Sequence, residues 1–317
     1  MKIVFLDRAT MGPSVNITRP EFEHEWAEYE VTSESEVLER LKGAQIAITN
    51  KVPLRAAVLD QLPELKMISV AATGYDVVDI PACKKNGISV SNVRGYAVNT
   101  VPEHTFALIL GLRRSIAAYQ RDIIAGEWQK AGQFCFFNHP IRDLAGSRLG
   151  IIGEGAIGQS VAAVGRAFGM EPVFAAHKGV DGLGPLYTPW DEVLETSDVI
   201  TLHAPLTDGS RHCIDEAEFA RMHRQPLIIN TARGGLVSEA ALVNALEAGQ
   251  IAGFGFDVLT VEPPVPDNPI MRVLDRPNVI VTPHIAWASD EAMQEVWRQT
   301  IDHANCFVAG KPKNTLV

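Results

Sequence analysis

Apolar positions along the chain gather into short, β-rich runs separated by stretches with helical spacing. The runs are KIVFL (2–6), IAIT (46–49), MISVAA (67–72), ISVS (88–91), LGIIG (149–153), PVFAA (172–176), DVITLH (198–203), PLIIN (226–230), IAGFGF (251–256) and NVIVT (278–282). Being apolar on both faces, they read as strands covered on both sides. Between them, SESEVLERLKG from Ser33 opens with a capping box, Ser33 to Glu36, and TPWDEVLE from Thr188 puts Pro189 at a first helical position. Strands alternating with helices predict an α/β protein with parallel, doubly wound sheets. The longest helical pattern, Pro102 to about Gly126, separates a first series of four strands from a second series of six. A last helical stretch, Ser289 to about Ala309, has no strand after it and is expected to return to the first lobe.

With 317 residues the chain can form two domains, each with its own core. Its 38 acidic and 28 basic residues give a formal charge of −10, which repels phosphate backbones and anionic membranes. Nucleic acid and membrane are therefore not expected as partners, and an anionic small substrate would need a specific local cation. Cys83, Cys135, Cys213 and Cys306 have no paired spacing and read as reduced thiols of a cytoplasmic protein, with no disulfide and no metal site. MKIVFLD meets Asp7 too early for the apolar core of a signal peptide, and the longest apolar run, Phe106 to Leu112, is too short to cross a bilayer.

Chemistry enters at LGIIGEGAIGQSVAAVGRAFG (149–169), which carries G-x-G-x-x-G at Gly153, Gly155 and Gly158. An apolar run precedes it, and Ile157, Val161, Val164 and Phe168 follow on one face of a helix. Gly153 permits a tight turn, Gly155 lets the backbone approach a pyrophosphate, and Gly158 lets helix pack on strand. Ala156 and Ile157 complete the turn at the helix N-terminus, where an anion is favoured. The same glycines could serve a tight βα turn without a ligand; strand, glycines and helix together favour a dinucleotide.

Three further polar residues stand where apolar runs end. Arg233 follows PLIINT in NTARGG, Glu262 lies in DVLTVEPP after IAGFGF, and His284 follows NVIVTP in PHIAW. In a parallel sheet, ligands sit beyond the carboxyl ends of the strands, so the three can share one crevice. Arg presents a fixed fork to a carboxylate, His exchanges a proton near neutral pH, and a neighbouring carboxylate stabilises the imidazolium. Singly, each could be a surface, capping or turn residue; together, after a dinucleotide loop, they read as a reacting constellation.

These motifs, with AATGYDVVD (71–79), NVRGYAVNTVPEHTFALIL (92–110) and RDLAGSRLGIIG (142–153), resemble the D-isomer-specific 2-hydroxyacid dehydrogenases over essentially the whole chain. Within that family the FCFFNHPIRDL loop and Trp287 are most similar to the glycerate dehydrogenases, also called hydroxypyruvate or glyoxylate reductases. The resemblance implies a Rossmann NAD(P)-binding domain, residues 101–285, inserted in a flavodoxin-like substrate domain, residues 1–100 plus 286–317. It implies hydride transfer between a nicotinamide cofactor and a small 2-oxo or D-2-hydroxy acid, from hydroxypyruvate or glyoxylate to D-glycerate or glycolate. Arg233 would bind the substrate carboxylate, His284 would exchange the proton of the 2-oxo group, and Glu262 would hydrogen-bond His284 and favour its protonated form. Asp257 would hold the nicotinamide end of the cofactor, and Pro205, Thr231 and Ala232 would line its cleft. Thr73 and Gly74 would offer backbone N–H groups to the substrate, with Lys51 and Trp287 as further contacts.

Two rivals remain at this point: a dinucleotide-sensing, corepressor-like binding protein, and a dehydrogenase for a bulkier 2-oxo acid. The absence of added tails argues against the first. The aromatic cluster Phe134, Phe136 and Phe137, within residues 129–145, is hard to bury on a monomer and suggests a homodimer contact. In VFAAHKG (173–179), Ala175 and Ala176 stand where NAD-preferring sites carry a carboxylate, and His177 and Lys178 follow. Use of both NADH and NADPH is expected, with NADP(H) slightly favoured; Glu154 in the glycine loop is the residue that could restore NAD(H).

Overall fold

Twelve strands assemble into two separate, wholly parallel sheets. The computed structural model describes residues 1–317 and divides into two compact units, Met1–Ala97 with Ala288–Val317, and Val98–Trp287.

In the first unit, β1 (Lys2–Phe5), β2 (Glu25–Glu28), β3 (Ile46–Thr49), β4 (Met67–Val70) and β5 (Ser89–Asn92) lie in the order β2-β1-β3-β4-β5. That is the flavodoxin-like order. β2, with the sequence EWAE, is one strand more than the apolar pattern predicts. It pairs only with β1 and keeps Glu25 and Glu28 exposed, so an edge position removes the apolar signal. The helix Asp290–Val308 belongs to this unit, where its Trp297 is fully buried with its ring 5.0 Å from that of Phe5. Ser69 of β4 donates to the Thr300 carbonyl and also meets His303 Nδ1, which fixes the helix on the sheet.

The second unit contains β6 (Arg148–Ile152), β7 (Glu171–Ala175), β8 (Tyr187–Thr188), β9 (Val199–Leu202), β10 (Leu227–Asn230), β11 (Gly253–Phe256) and β12 (Val279–Val281). The order β12-β11-β10-β9-β6-β7-β8 reverses direction between β6 and β9, the switch point of a Rossmann fold. β8 is a two-residue edge strand too short to read from sequence. Helices run Thr100–Arg113, Ile116–Ile124 and Glu127–Ala131, so the single helix expected from Pro102 to Gly126 is broken. The break falls at Ser115, left-handed with φ 51°, whose hydroxyl donates to the Pro140 carbonyl at 2.7 Å. Pro189 caps the helix Trp190–Thr196 rather than starting it. The Ser33–Glu36 capping box forms, and it opens a 3-10 turn, Glu34–Glu36, that continues into the helix Val37–Leu41.

Candidate active site

Each of the three glycines after β6 meets a different demand. Gly153 has φ 111°, and a Cβ there would lie 2.6 Å from the His203 carbonyl carbon at the end of β9. A Cβ on Gly158 would stand 2.0 Å from the Gly153 oxygen, so helix and turn can meet only at glycine. Gly155, by contrast, has nothing within 4 Å of that position. It is the N-cap of the helix Ala156–Ala167 and supplies no side-chain cap, which leaves the first-turn N–H groups to an outside acceptor. An open glycine before an uncapped N-terminus, beside a strand switch point, suits the pyrophosphate of a dinucleotide. His203, at the adjoining strand end, accepts or donates to Thr201 Oγ1 at 2.9 Å and is held neutral, its pKa pushed down to about 3 by burial.

At the end of β7, Ala176 is buried, and the two residues after it part company. His177 faces Glu154 of the glycine loop, 3.7 Å away. Lys178 turns to Glu218, 2.7 Å away, and donates to the Cys213 carbonyl at 3.3 Å. Of the two residues either of which the sequence offers to a 2′-phosphate, each thus has an acid beside it, and Lys178 has the closer one. The sequence could not show this, because Glu218 is 40 positions away. Pro205 follows β9 in an exposed loop whose Ser210 hydroxyl donates to its carbonyl at 2.7 Å.

The carboxyl ends of β10, β11 and β12 are stitched into one another by main chain. Asp257 N–H donates to the Asn230 carbonyl, Thr282 N–H to that of Phe256, and His284 N–H to that of Asp257, at 2.8 to 2.9 Å. Asn230, fully buried, accepts from Ala232 N–H and donates to the Arg233 carbonyl, which closes the loop that presents Arg233. Thr231 Oγ1 meets Thr105 Oγ1 at 3.1 Å. Gly234 must be glycine, since a Cβ there would sit 2.0 Å from the Leu259 carbonyl carbon. The Arg233 and Glu262 loops are thereby pressed backbone to backbone.

His284 adopts φ 55°, a left-handed conformation that costs a non-glycine residue about 1–3 kcal/mol. Asp257, 2% exposed, holds it there: Oδ1 accepts from Ile285 N–H at 2.9 Å and Thr282 Oγ1 at 2.5 Å, and Oδ2 from Ala286 N–H at 2.9 Å. His104 supports the same turn through Thr282 Oγ1 at 3.0 Å. The ring so presented has Nδ1 2.6 Å from Glu262 Oε2, while Glu262 Oε1 accepts from Leu259 N–H at 2.9 Å. A carboxylate partner makes Nδ1 the donor and leaves Nε2 for a reacting atom. Trp287 Nε1 donates to the His284 carbonyl at 3.0 Å. Sequence reading missed Asn230, His104 and Thr282; the only available signal was a polar residue placed at or near the end of an apolar run.

Lys51, Thr73 and Gly74 belong to the first unit, at the ends of β3 and β4. Asp7, 3% exposed, accepts from the N–H groups of Asn50, Lys51 and Val52 at 2.6 to 3.3 Å and so shapes the turn carrying Lys51. Burial pushes its carboxyl upward, against those hydrogen bonds. Thr73 donates to the Val93 carbonyl at 2.8 Å, and Asn92 Nδ2 to that of Thr73 at 2.8 Å.

Residues 106–286 match the family model of the D-isomer specific 2-hydroxyacid dehydrogenase NAD binding domain. The chain is 51% identical over 316 residues to a glycerate dehydrogenase of Methylorubrum extorquens, covering 99% of this chain and 98% of that protein. It is 34% identical to a hydroxypyruvate reductase of Blautia hydrogenotrophica, over 100% and 99% of the two chains. Among solved structures, an acyclic imino acid reductase in complex with NADPH and D-Arg superposes with a TM-score of 0.83 at 27% identity, each chain covered fully.

Proposed function

The chain belongs to the D-isomer specific 2-hydroxyacid dehydrogenases, and from that membership we propose that it reduces hydroxypyruvate and glyoxylate to D-glycerate and glycolate. It is an oxidoreductase that moves a hydride between a nicotinamide cofactor and a 2-hydroxy acid. The observation that carries the assignment of roles is the 2.6 Å pair of His284 and Glu262, next to the Arg233 loop.

When bound, the nicotinamide supplies hydride to C2 of the oxo acid or takes it from the hydroxy acid. His284 Nε2 gives a proton to the C2 oxygen in reduction and takes it back in oxidation. Glu262 fixes the Nδ1–H tautomer and stabilises the imidazolium. Arg233 clamps the substrate carboxylate, and Asp257 holds the His284 turn and would hold the nicotinamide end of the cofactor. Gly153, Gly155, Ala156, Ile157 and Gly158 would hold the pyrophosphate, Pro205, Thr231 and Ala232 would line the cofactor cleft, and Ala176 and His177 would border the adenosine ribose. Lys51, Thr73, Gly74 and Trp287 are assigned to the substrate.

Both NADH and NADPH serve, with a modest preference for NADPH, because Ala175 and Ala176 present no carboxylate to repel a 2′-phosphate. Lys178 is met by Glu218 and His177 lies 3.7 Å from Glu154, which keeps the preference modest. No helix is long and apolar enough to cross a membrane, and we assign the protein to the cytoplasm. A homodimer is proposed on the exposed Phe134 and Phe137, 89% and 84% accessible, with Trp128 and Ile124 exposed in the preceding segment. Glyoxylate, hydroxypyruvate, pyruvate and phenylpyruvate, each assayed with NADH and NADPH, test the reading. Highest kcat/KM on phenylpyruvate would refute the small-substrate assignment, and a tenfold preference for NADH would refute the cofactor assignment.

A further inference from the structure

At the opposite end of the seven-stranded sheet, beneath the starts of β9 to β12, lies a cavity of about 110 Å³. Asp198, Leu227, Ala252 and Asn278, which precede or begin those strands, form part of its wall. None of these residues is used by the chemistry described above. Arg113, the last residue of the helix Thr100–Arg113, enters this cavity with 8% of its surface exposed. Its Nε is shut from solvent and has no hydrogen-bond partner.

The charges around Arg113 do not balance. Arg142 and Arg224 line the same cavity, with Asp198 as its one carboxylate. Both Asp198 oxygens are already engaged: Oδ1 accepts from Arg224 Nε and Nη2 at 3.0 and 2.7 Å, and Oδ2 from Arg148 N–H at 2.9 Å. His139, on the rim, is met by Asp122 at 3.0 Å. Arg113 and Arg142 are left facing the space without a carboxylate of their own. Burial holds the Arg113 guanidinium below its ordinary range; Asp198 counters this, and Arg142 and Arg224 add to it. A guanidinium stays charged in proteins, and a buried unpaired charge costs several kcal/mol.

We propose that this cavity binds a compact polyatomic anion, a carboxylate or phosphate group, between the Arg113 and Arg142 guanidinium groups. A volume of about 110 Å³ admits a group of that size. The planar forks suit two-oxygen acceptors better than halide. The anion comes either from a free small molecule or from an acidic side chain of a second copy, since His139, Pro140 and Arg142 continue the segment proposed to meet a partner.

The test uses the full chain with its nucleotide site filled by NADH. Thermal unfolding is followed against phosphate and against malonate, at ionic strength held constant with sodium chloride. Arg142→Ser, exposed and outside the catalytic loops, is the principal variant; Arg113→Met is the second. A saturable rise in Tm that needs about tenfold more anion in Arg142→Ser, with kcat unchanged, establishes a free anion. No response to either anion, together with dimer dissociation about tenfold easier in Arg142→Ser by sedimentation, establishes a carboxylate from a second copy. An anion response identical in wild type and both variants, or no anion response with unchanged sedimentation, overturns the proposal.

Discussion

The two ends of the seven-stranded sheet are made by the same strands and hold charge in opposite ways. At the carboxyl ends, short side chains and main-chain N–H groups do the holding. Asp257 accepts from two N–H groups and a hydroxyl, Asn230 bridges one turn, and Glu262 spans from the Leu259 N–H to His284. At the amino ends, long guanidinium chains gather around a single carboxylate. Short groups bonded to backbone fix a reacting atom in place, as proton transfer requires. Guanidinium groups carry permanent charge and cannot exchange a proton near neutral pH. The same sheet thus holds its charges through main chain at one end and through guanidinium groups at the other.

That contrast predicts where substitutions act. His284→Ala, at the carboxyl end, should lower kcat by a factor of about 10² to 10⁴ with the fold intact, read by steady-state kinetics and circular dichroism. A fall of less than tenfold would remove His284 from the reaction.

Two glycines of the cradle separate folding from binding. Gly158→Ala places a methyl 2.0 Å from the Gly153 oxygen, so both Tm and NADH affinity should drop. Gly155→Ala meets no protein atom within 4 Å, so Tm should hold while the NADH Kd rises by about tenfold. Unchanged NADH affinity in Gly155→Ala would place the pyrophosphate elsewhere.

The acid limit of stability should be set partly at the carboxyl end, by His203. Its pKa falls from an ordinary 6.5 to about 3 in the fold. Above pH 6.5 the ring is neutral in both states and contributes nothing to the pH dependence. As pH drops from 6.5 toward 3 the unfolded chain takes up a proton that the native chain refuses, and stability is lost. His203→Gln lacks that proton, so its stability relative to wild type should improve by about 1.4 kcal/mol per pH unit through this window. Parallel acid-unfolding curves for the two proteins would contradict it. The smallest effect belongs to the amino end. Arg224→Gln loses an exposed pair with Asp198, which should cost about 0.2–1 kcal/mol in denaturant unfolding and leave kcat unchanged.

The strands legible in the sequence are those buried on both faces, because burial on two sides demands an unbroken apolar run. β2 and β8 escaped notice because an edge strand has one neighbour and tolerates EWAE or two residues of YT. The helix break at Ser115 was equally hidden: residues 102–126 keep helical spacing across it, and the cause is a bond to Pro140, which is 25 positions later.

Sequence alone determined the parallel α/β architecture, the glycine turn and the position of Arg233, Glu262 and His284 after strand ends, since each follows from local pattern or from a motif short enough to read in one stretch. Tertiary structure decided everything that depends on which distant group arrives. It set the left-handed His284 on Asp257, paired Lys178 with Glu218, and left Arg113 Nε buried without a hydrogen-bond partner. The physical reason is range. Backbone preference and apolar periodicity act over a few residues, whereas a charge is satisfied or stranded by neighbours that only the packed chain supplies.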